Sequence, residues 1–129
     1  MSKNQPEFDL QKQVCRWINI QYPKVLFMSD TIASVKLTPQ QQLRNKKIQK
    51  LDFKLPDLLI FEPKGNFSGL FIELKVKSPF KKNGEIFKDE HLEGQLKTIN
   101  DLKSKGYYAC FSWSFDMTIS IINQYMNLE

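Results

Sequence analysis

Histidine occurs once in the 129 residues, as His91, and cysteine twice, as Cys15 and Cys110. Zinc clusters, HNH-type nucleases and Ser-His-Asp hydrolases need more histidine than this, or histidine at another spacing. Neither cysteine sits in a CxxC pair, so both are expected to be small buried hydrophobes of a reducing compartment rather than half of a disulfide. No run approaches the roughly 20 apolar residues of a membrane span. The polar start Met1-Ser2-Lys3-Asn4-Gln5 lacks the apolar core of a signal peptide. A soluble, intracellular protein without a membrane partner is expected. Repeats and low-complexity tracts are absent too.

What is present suits one domain over residues 1–129: 41% apolar and 12% aromatic residues supply a core. Lysine and arginine number 19 against 14 acids, a net charge of +5, which favours an anionic partner but is a weak signal alone.

Pro6 suits a first helical turn, and Leu10, Val14, Trp17 and Ile18 recur at helical spacing until Tyr22-Pro23. Val25 to Ser29 reads as a short strand. A polar, basic insert follows from about residue 30 to 54, with room for a short helix over Pro39 to Leu51. Asp57 to Phe61 and Leu70 to Val76 are strand-like and separated by turn residues, which predicts an antiparallel hairpin. Ser78 to Asp89 reads as an exposed loop. Glu90 to Lys105 forms an amphipathic helix stopped by Gly106, Tyr107 to Trp113 a strand, and Asp116 caps a last helix through Tyr125. Trp17 and Trp113 are assigned to the core, and Tyr107 and Tyr108 to opposite strand faces.

Glu73 and Lys75 are two apart on a strand and leave one face, while Ile72, Leu74 and Val76 leave the other. An isolated ExK triplet is most simply a solvated outer face. That reading weakens because Pro56-Asp57 opens the preceding strand, and the hairpin lays the two strands side by side. Two carboxylates then converge. A hard divalent cation held by carboxylate oxygens neutralises a scissile phosphate and activates water, and a neighbouring lysine offsets developing negative charge.

Pro56-Asp57, then Glu73-Leu74-Lys75, then a helix carrying Gln95 resembles the PD-(D/E)XK nuclease superfamily, and within it the VRR-NUC branch. Glu7-x-x-Leu10-Gln11 is similar to that branch's opening motif. Leu55-Pro-Asp-Leu-Leu-Ile60 is similar to its PD strand, and Phe71-Ile-Glu-Leu-Lys-Val76 to its ExK strand. Gly94-Gln95, Ile99, Leu102, Gly106-Tyr107 and Ala109 are similar to its last helix and strand. The resemblance implies an α/β, restriction-endonuclease-like αβββαβ core with a central mixed sheet flanked by helices. It also implies that Asp57, Glu73, the Leu74 main-chain carbonyl and Glu7 hold Mg²⁺ or Mn²⁺. Lys75 would be catalytic, and Gln95 and Glu7 would complete the catalytic set. One departure is that Lys54 stands where the branch usually has glycine two residues before Pro-Asp.

Two of these residues carry competing readings. Gln95 lies on the apolar helix face with Leu92, Leu96, Ile99 and Leu102 and needs a partner, which is either the site or a backbone group. Glu7 is either a site residue or a first-turn acid favoured by the helix dipole or a capping box with Asn4.

Lys36, Arg44, Lys46, Lys47, Lys50 and Lys54 face a single acid, Asp52, and lead into the metal site. They are candidates for binding a phosphate backbone, with a solvated basic loop as the alternative. The expected function is a metal-dependent endonuclease acting on DNA, with branched, flap or junction structures as the substrates the resemblance suggests. The resemblance also leaves room for a homodimer whose two sites face two strands. A non-catalytic nucleic-acid-binding module of the same fold, or a small interaction domain, is the alternative.

Overall fold

The structure is a computed structural model and describes residues 5–29, 36–50 and 53–129. Helix α1 covers Gln5–Gln21 and buries Val14 and Ile18, one turn apart. Tyr22 closes it by donating its N–H to the Ile18 carbonyl at 2.8 Å, and Pro23 has no N–H to extend it. Strand β1 is Phe27–Ser29, helix α2 Pro39–Ile48, strand β2 Leu58–Ile60 and strand β3 Leu70–Leu74. Helix α3 is Glu90–Ser104, strand β4 Tyr108–Ser112 and helix α4 Phe115–Met126.

The four strands stand in chain order. β1 pairs antiparallel with β2, and β2 with β3, through a hairpin turned at Gly65, whose φ of 56° lies in the left-handed region that glycine enters freely. β3 and β4 run parallel, which a tight turn cannot achieve, and α3 is the crossover between them. The sheet is mixed and flanked by helices, the α/β arrangement expected from the sequence.

Alternation along the strands divides the core in two. Leu58, Ile60, Leu70, Ile72 and Leu74 pack with Val14 and Ile18 of α1 and Ile122 and Tyr125 of α4. Leu59, Phe71, Ala109 and Phe111 point the other way and pack against Ile99 and Leu102 of α3. Tyr107 stacks on Phe71 on the α3 side, while Tyr108 meets Tyr125 on the opposite side. Trp17 and Trp113 pack against one cluster each. Every residue of β2 and β3 is buried, so the sheet has no solvated face at its centre.

Several boundaries differ from the sequence-based expectation. β1 begins at Phe27 rather than Val25, and β2, β3 and β4 lose residues at their ends. α2 stops at Ile48; Leu51, the expected end, lies outside the described residues, as does Asn4, the expected cap of α1. Thr38 caps α2 in a full capping box with Gln41. α4 is capped by Ser114, whose hydroxyl accepts the Met117 N–H, and Asp116 lies inside the first turn instead. The 78–89 segment is less solvated than expected, because Phe80 and Ile86 bridge each other and pack on the second cluster. Cys15 and Cys110 are free thiols, only partly buried, against the first cluster.

Candidate active site

Asp57 immediately precedes β2, whose register pairs Leu58 with Ile72. One further step of that antiparallel register sets Asp57 opposite Glu73, on the α3 side of the sheet. The two residues hold each other. The Asp57 N–H donates to Glu73 Oε2 at 3.1 Å, and the N–H of Leu74 donates to Asp57 Oδ2 at 2.9 Å. Their carboxyl groups lie within hydrogen-bonding reach of each other. The expectation that Asp57 and Glu73 share one side of the sheet is therefore met, but that side is covered by α3 rather than solvated.

Burial decides the electrostatics. Glu73 is 6% exposed. Burial, and next the charge of Asp57, push its carboxyl up from 4.5 to about 9. Asp57 is also raised, chiefly by burial, against the opposing pull of the Leu74 N–H. The Lys75 charge lowers both, but by less than burial raises them. Lys75 is half-buried, and its N–H donates to the Ser112 carbonyl at 2.8 Å, which ties the end of β3 to β4.

From α3, Gln95 reaches down with its Nε2 on Glu73 Oε1. It is 7% exposed, and its Oε1 is buried without a partner. Gln95 thus meets a carboxylate and not a backbone group, which separates its two sequence readings. Glu7, half-buried in the first turn of α1, is near enough for its charge to act on Asp57 and His91. It does not join the carboxylates: among the described residues no group of three or more His, Cys, Asp or Glu side chains is clustered for metal binding. Of the expected metal ligands, then, the structure brings together Asp57, Glu73 and the Leu74 main chain, and not Glu7.

The basic residues divide in the same way. Arg44, Lys46 and Lys47 lie on α2, which buries none of its side chains, and Lys36 and Lys50 flank it, all exposed. Lys54 is different. Its N–H donates to Thr98 Oγ1 at 3.3 Å, and its Nζ lies 3.1 Å from His91 Nδ1. His91 Nε2 in turn lies 3.2 Å from Gln95 Nε2. A row of polar side chains therefore runs from Glu73 through Gln95 and His91 to Lys54.

His91, whose lone occurrence in the sequence only excludes other chemistries, thus lies beside the site. Its place one helical turn before Gln95, on the same face of α3, was the available signal. Ser29 and Gln11 also support the site. The Gln11 side-chain amide donates to Ser29 Oγ at 2.5 Å, and Ser29 Oγ donates to the Asp57 carbonyl at 2.7 Å. α1 and β1 thereby brace the main chain that carries the first carboxylate. A serine ending a short strand has no spacing that announces such a role.

A mixed sheet with Asp57 at the entry of β2 and Glu73 on the antiparallel β3, closed by the glutamine-bearing crossover helix α3, is the restriction-endonuclease-like architecture that the motifs imply. No family model matches the sequence, and no curated protein does. The fold is similar to that of a solved structure described as a VRR_NUC domain protein, with a TM-score of 0.64 and 25% identity. The likeness covers 95% of this chain and 89% of the other. The VRR-NUC resemblance read from four short motifs is matched by a shared fold over nearly the whole chain. Among the described residues no helix is long and apolar enough to cross a membrane.

Proposed function

We propose that this chain is a metal-dependent nuclease that hydrolyses DNA phosphodiester bonds as an endonuclease, with branched, flap or junction DNA as its preferred substrates. The observation that carries the reading is the pair of carboxylates, half-buried Asp57 and buried Glu73, each fixed by a main-chain N–H from across the β2–β3 pair. A structural ion pair would set a cation between them. Among the described residues, no ion pair engages either acid.

The donors fit Mg²⁺ or Mn²⁺: two carboxylates and the Leu74 carbonyl are hard oxygen ligands, and Mg²⁺ is commonly held by one or two carboxylates with water and substrate phosphate completing its shell. Gln95 Oε1, on the side chain whose amide meets Glu73, is a buried polar atom without a partner, which leaves an acceptor for a water or cation held there. Bound there, the cation would neutralise phosphate charge and lower the pKa of water.

The chain's own residues supply the rest. Gln95 donates to Glu73 and orients it, so that its second oxygen stays on the Asp57 N–H. Lys75, on the same strand face two residues beyond Glu73, offsets charge that develops on the phosphate oxygens. Ser29 holds the Asp57 carbonyl and keeps that strand entry from shifting. The exposed cations of α2 and its flanks give sequence-independent attraction to the phosphate backbone.

The test is incubation with plasmid, linear, single-stranded, flap and four-way-junction DNA in Mg²⁺, Mn²⁺ or EDTA. Cleavage that needs the cation and favours branched substrates is expected. Binding without cleavage in either cation would favour the non-catalytic module instead.

A further inference from the structure

We infer that Lys54 is a phosphate contact of the carboxylate site, and that Gly94 and His91 are the residues that position it. The inference rests on the nuclease reading and adds to it the means by which one cation, out of many on the surface, is aimed.

Most lysines on a surface are long, mobile and worth little as fixed contacts. Lys54 is held at three points. Its main chain is tied by the N–H to Thr98 Oγ1, a hydroxyl on the buried side of α3. Its stem crosses α3 at Gly94, the one place where the helix offers no side chain. A Cβ built there would lie 3.0 Å from Lys54 Cε, 3.3 Å from Cδ and 3.4 Å from Nζ. Its ammonium then meets His91 Nδ1 at 3.1 Å.

That ammonium is restrained but not neutralised. Among the described residues Lys54 has no carboxylate within ion-pair distance. Its partner is an imidazole, whose own protonation is disfavoured by burial and by the charges of Lys54 and Lys75. A neutral imidazole has a single lone pair, and two donors compete for it: the Lys54 ammonium at Nδ1 and the Gln95 amide at Nε2. An ammonium has three N–H donors, so with one accepted by His91 Nδ1 Lys54 keeps two for an anion. A preordered cation with free donors, linked through His91 and Gln95 to Glu73, suits a phosphate next to the scissile one, because little freedom is left to lose on binding.

The test is binding of a short DNA duplex and a four-way junction to the full chain in Ca²⁺ over a salt titration, together with the melting temperature of each variant. Lys54→Met should make the slope of log K against log salt shallower by about 0.9, the share of one phosphate contact. Gly94→Ala and Gly94→Leu should weaken binding in that order while raising the melting temperature, since both residues favour helix over glycine. A merely structural role for Gly94 would move stability and binding in the same direction. His91→Ala should weaken binding, yet add nothing in a Lys54→Met background. An unchanged slope in Lys54→Met, or additive losses in the double variant, would overturn the inference while the parent chain still binds and cleaves. A parent chain that binds neither DNA would overturn the nuclease reading, and this inference with it.

Discussion

Asp57 donates its own N–H to the carboxylate of Glu73, so the residue that carries one acid also anchors the other. The reciprocal bond runs one residue further on, from the Leu74 N–H to the Asp57 carboxylate. A half-buried and a buried acid are thus held face to face by main-chain groups of paired chain segments. Their separation is a property of strand register, not of flexible side chains, and replacing either acid need not disturb the core on the other side of the sheet.

From this it follows that Asp57→Asn and Glu73→Gln each keep the fold and lose cleavage. Each amide keeps the size of the acid but removes a negative ligand, which is worth several kcal/mol of charge stabilisation in the transition state. A fall in kcat of roughly a thousandfold or more is expected. Circular dichroism and single-turnover cleavage on the same preparations check it. Near-parental turnover in either variant would remove that residue from the site.

The same pair sets a pH dependence of stability without metal. Glu73 is raised from 4.5 to about 9, and Asp57 is raised as well. Between those limits the folded chain keeps a proton that the unfolded chain has released. The raised group's contribution is fully present below its unfolded pKa and is lost as pH rises through the folded value, so the melting temperature in EDTA should fall from about pH 5 to about pH 9. Glu73→Gln should flatten that fall, and Mg²⁺ should raise the melting temperature most at the alkaline end. Thermal melts of both proteins across the range, with and without Mg²⁺, give the answer; a parent curve rising with pH in EDTA would contradict it.

Period-two alternation was enough to place Glu73 and Lys75 on one strand face, and the turn residues between Phe61 and Leu70 were enough to lay Asp57 beside them. The hidden part was the cover. Alternation in β3 looks like one buried and one wet face, but α3 covers the face expected to be wet while α1 and α4 cover the other, and a crossover helix lying over Glu73 leaves no mark within the strand. Gln95 was legible because a lone amide among Leu92, Leu96, Ile99 and Leu102 demands a partner, although not which one. Ser29, His91 and Gly94 were not, since each matters through a residue far away in sequence: Asp57 by 28 positions and Lys54 by 37 for the first two. The start of α4 falls two residues before the expected one, because Ser114, two positions ahead of Asp116, is an equally good cap that sequence cannot separate from it.

Arg44, Lys46, Lys47 and Lys50 give a prediction in which stability and binding separate. α2 buries nothing, and its cap is supplied by Thr38 and Gln41, so changing all four cations to glutamine should leave the melting temperature within a few degrees. If each meets one phosphate, the salt slope should fall by about 0.9 per residue. Filter binding or anisotropy over a salt series measures it. A slope equal to the parent's would return α2 to the role of a solvated basic helix.

Gln95→Leu separates site from scaffold most sharply. The amide donates to Glu73 on one side and leaves Oε1 buried without a partner on the other. Removing the side chain's polarity deletes one useful bond and one unsatisfied acceptor, and an unsatisfied buried polar atom costs about 1–3 kcal/mol. Leucine also suits a helix face shared with Ile99 and Leu102. Stability should therefore hold or rise. Cleavage should nevertheless drop by roughly 10- to 100-fold, the usual effect of losing a group that orients a metal-binding carboxylate, and higher Mg²⁺ should recover part of it. Melting temperature, turnover and the Mg²⁺ dependence of turnover are read on one preparation. Lower stability with undiminished turnover per folded molecule would make Gln95 a packing residue and leave Glu73 to be oriented by the Asp57 N–H alone.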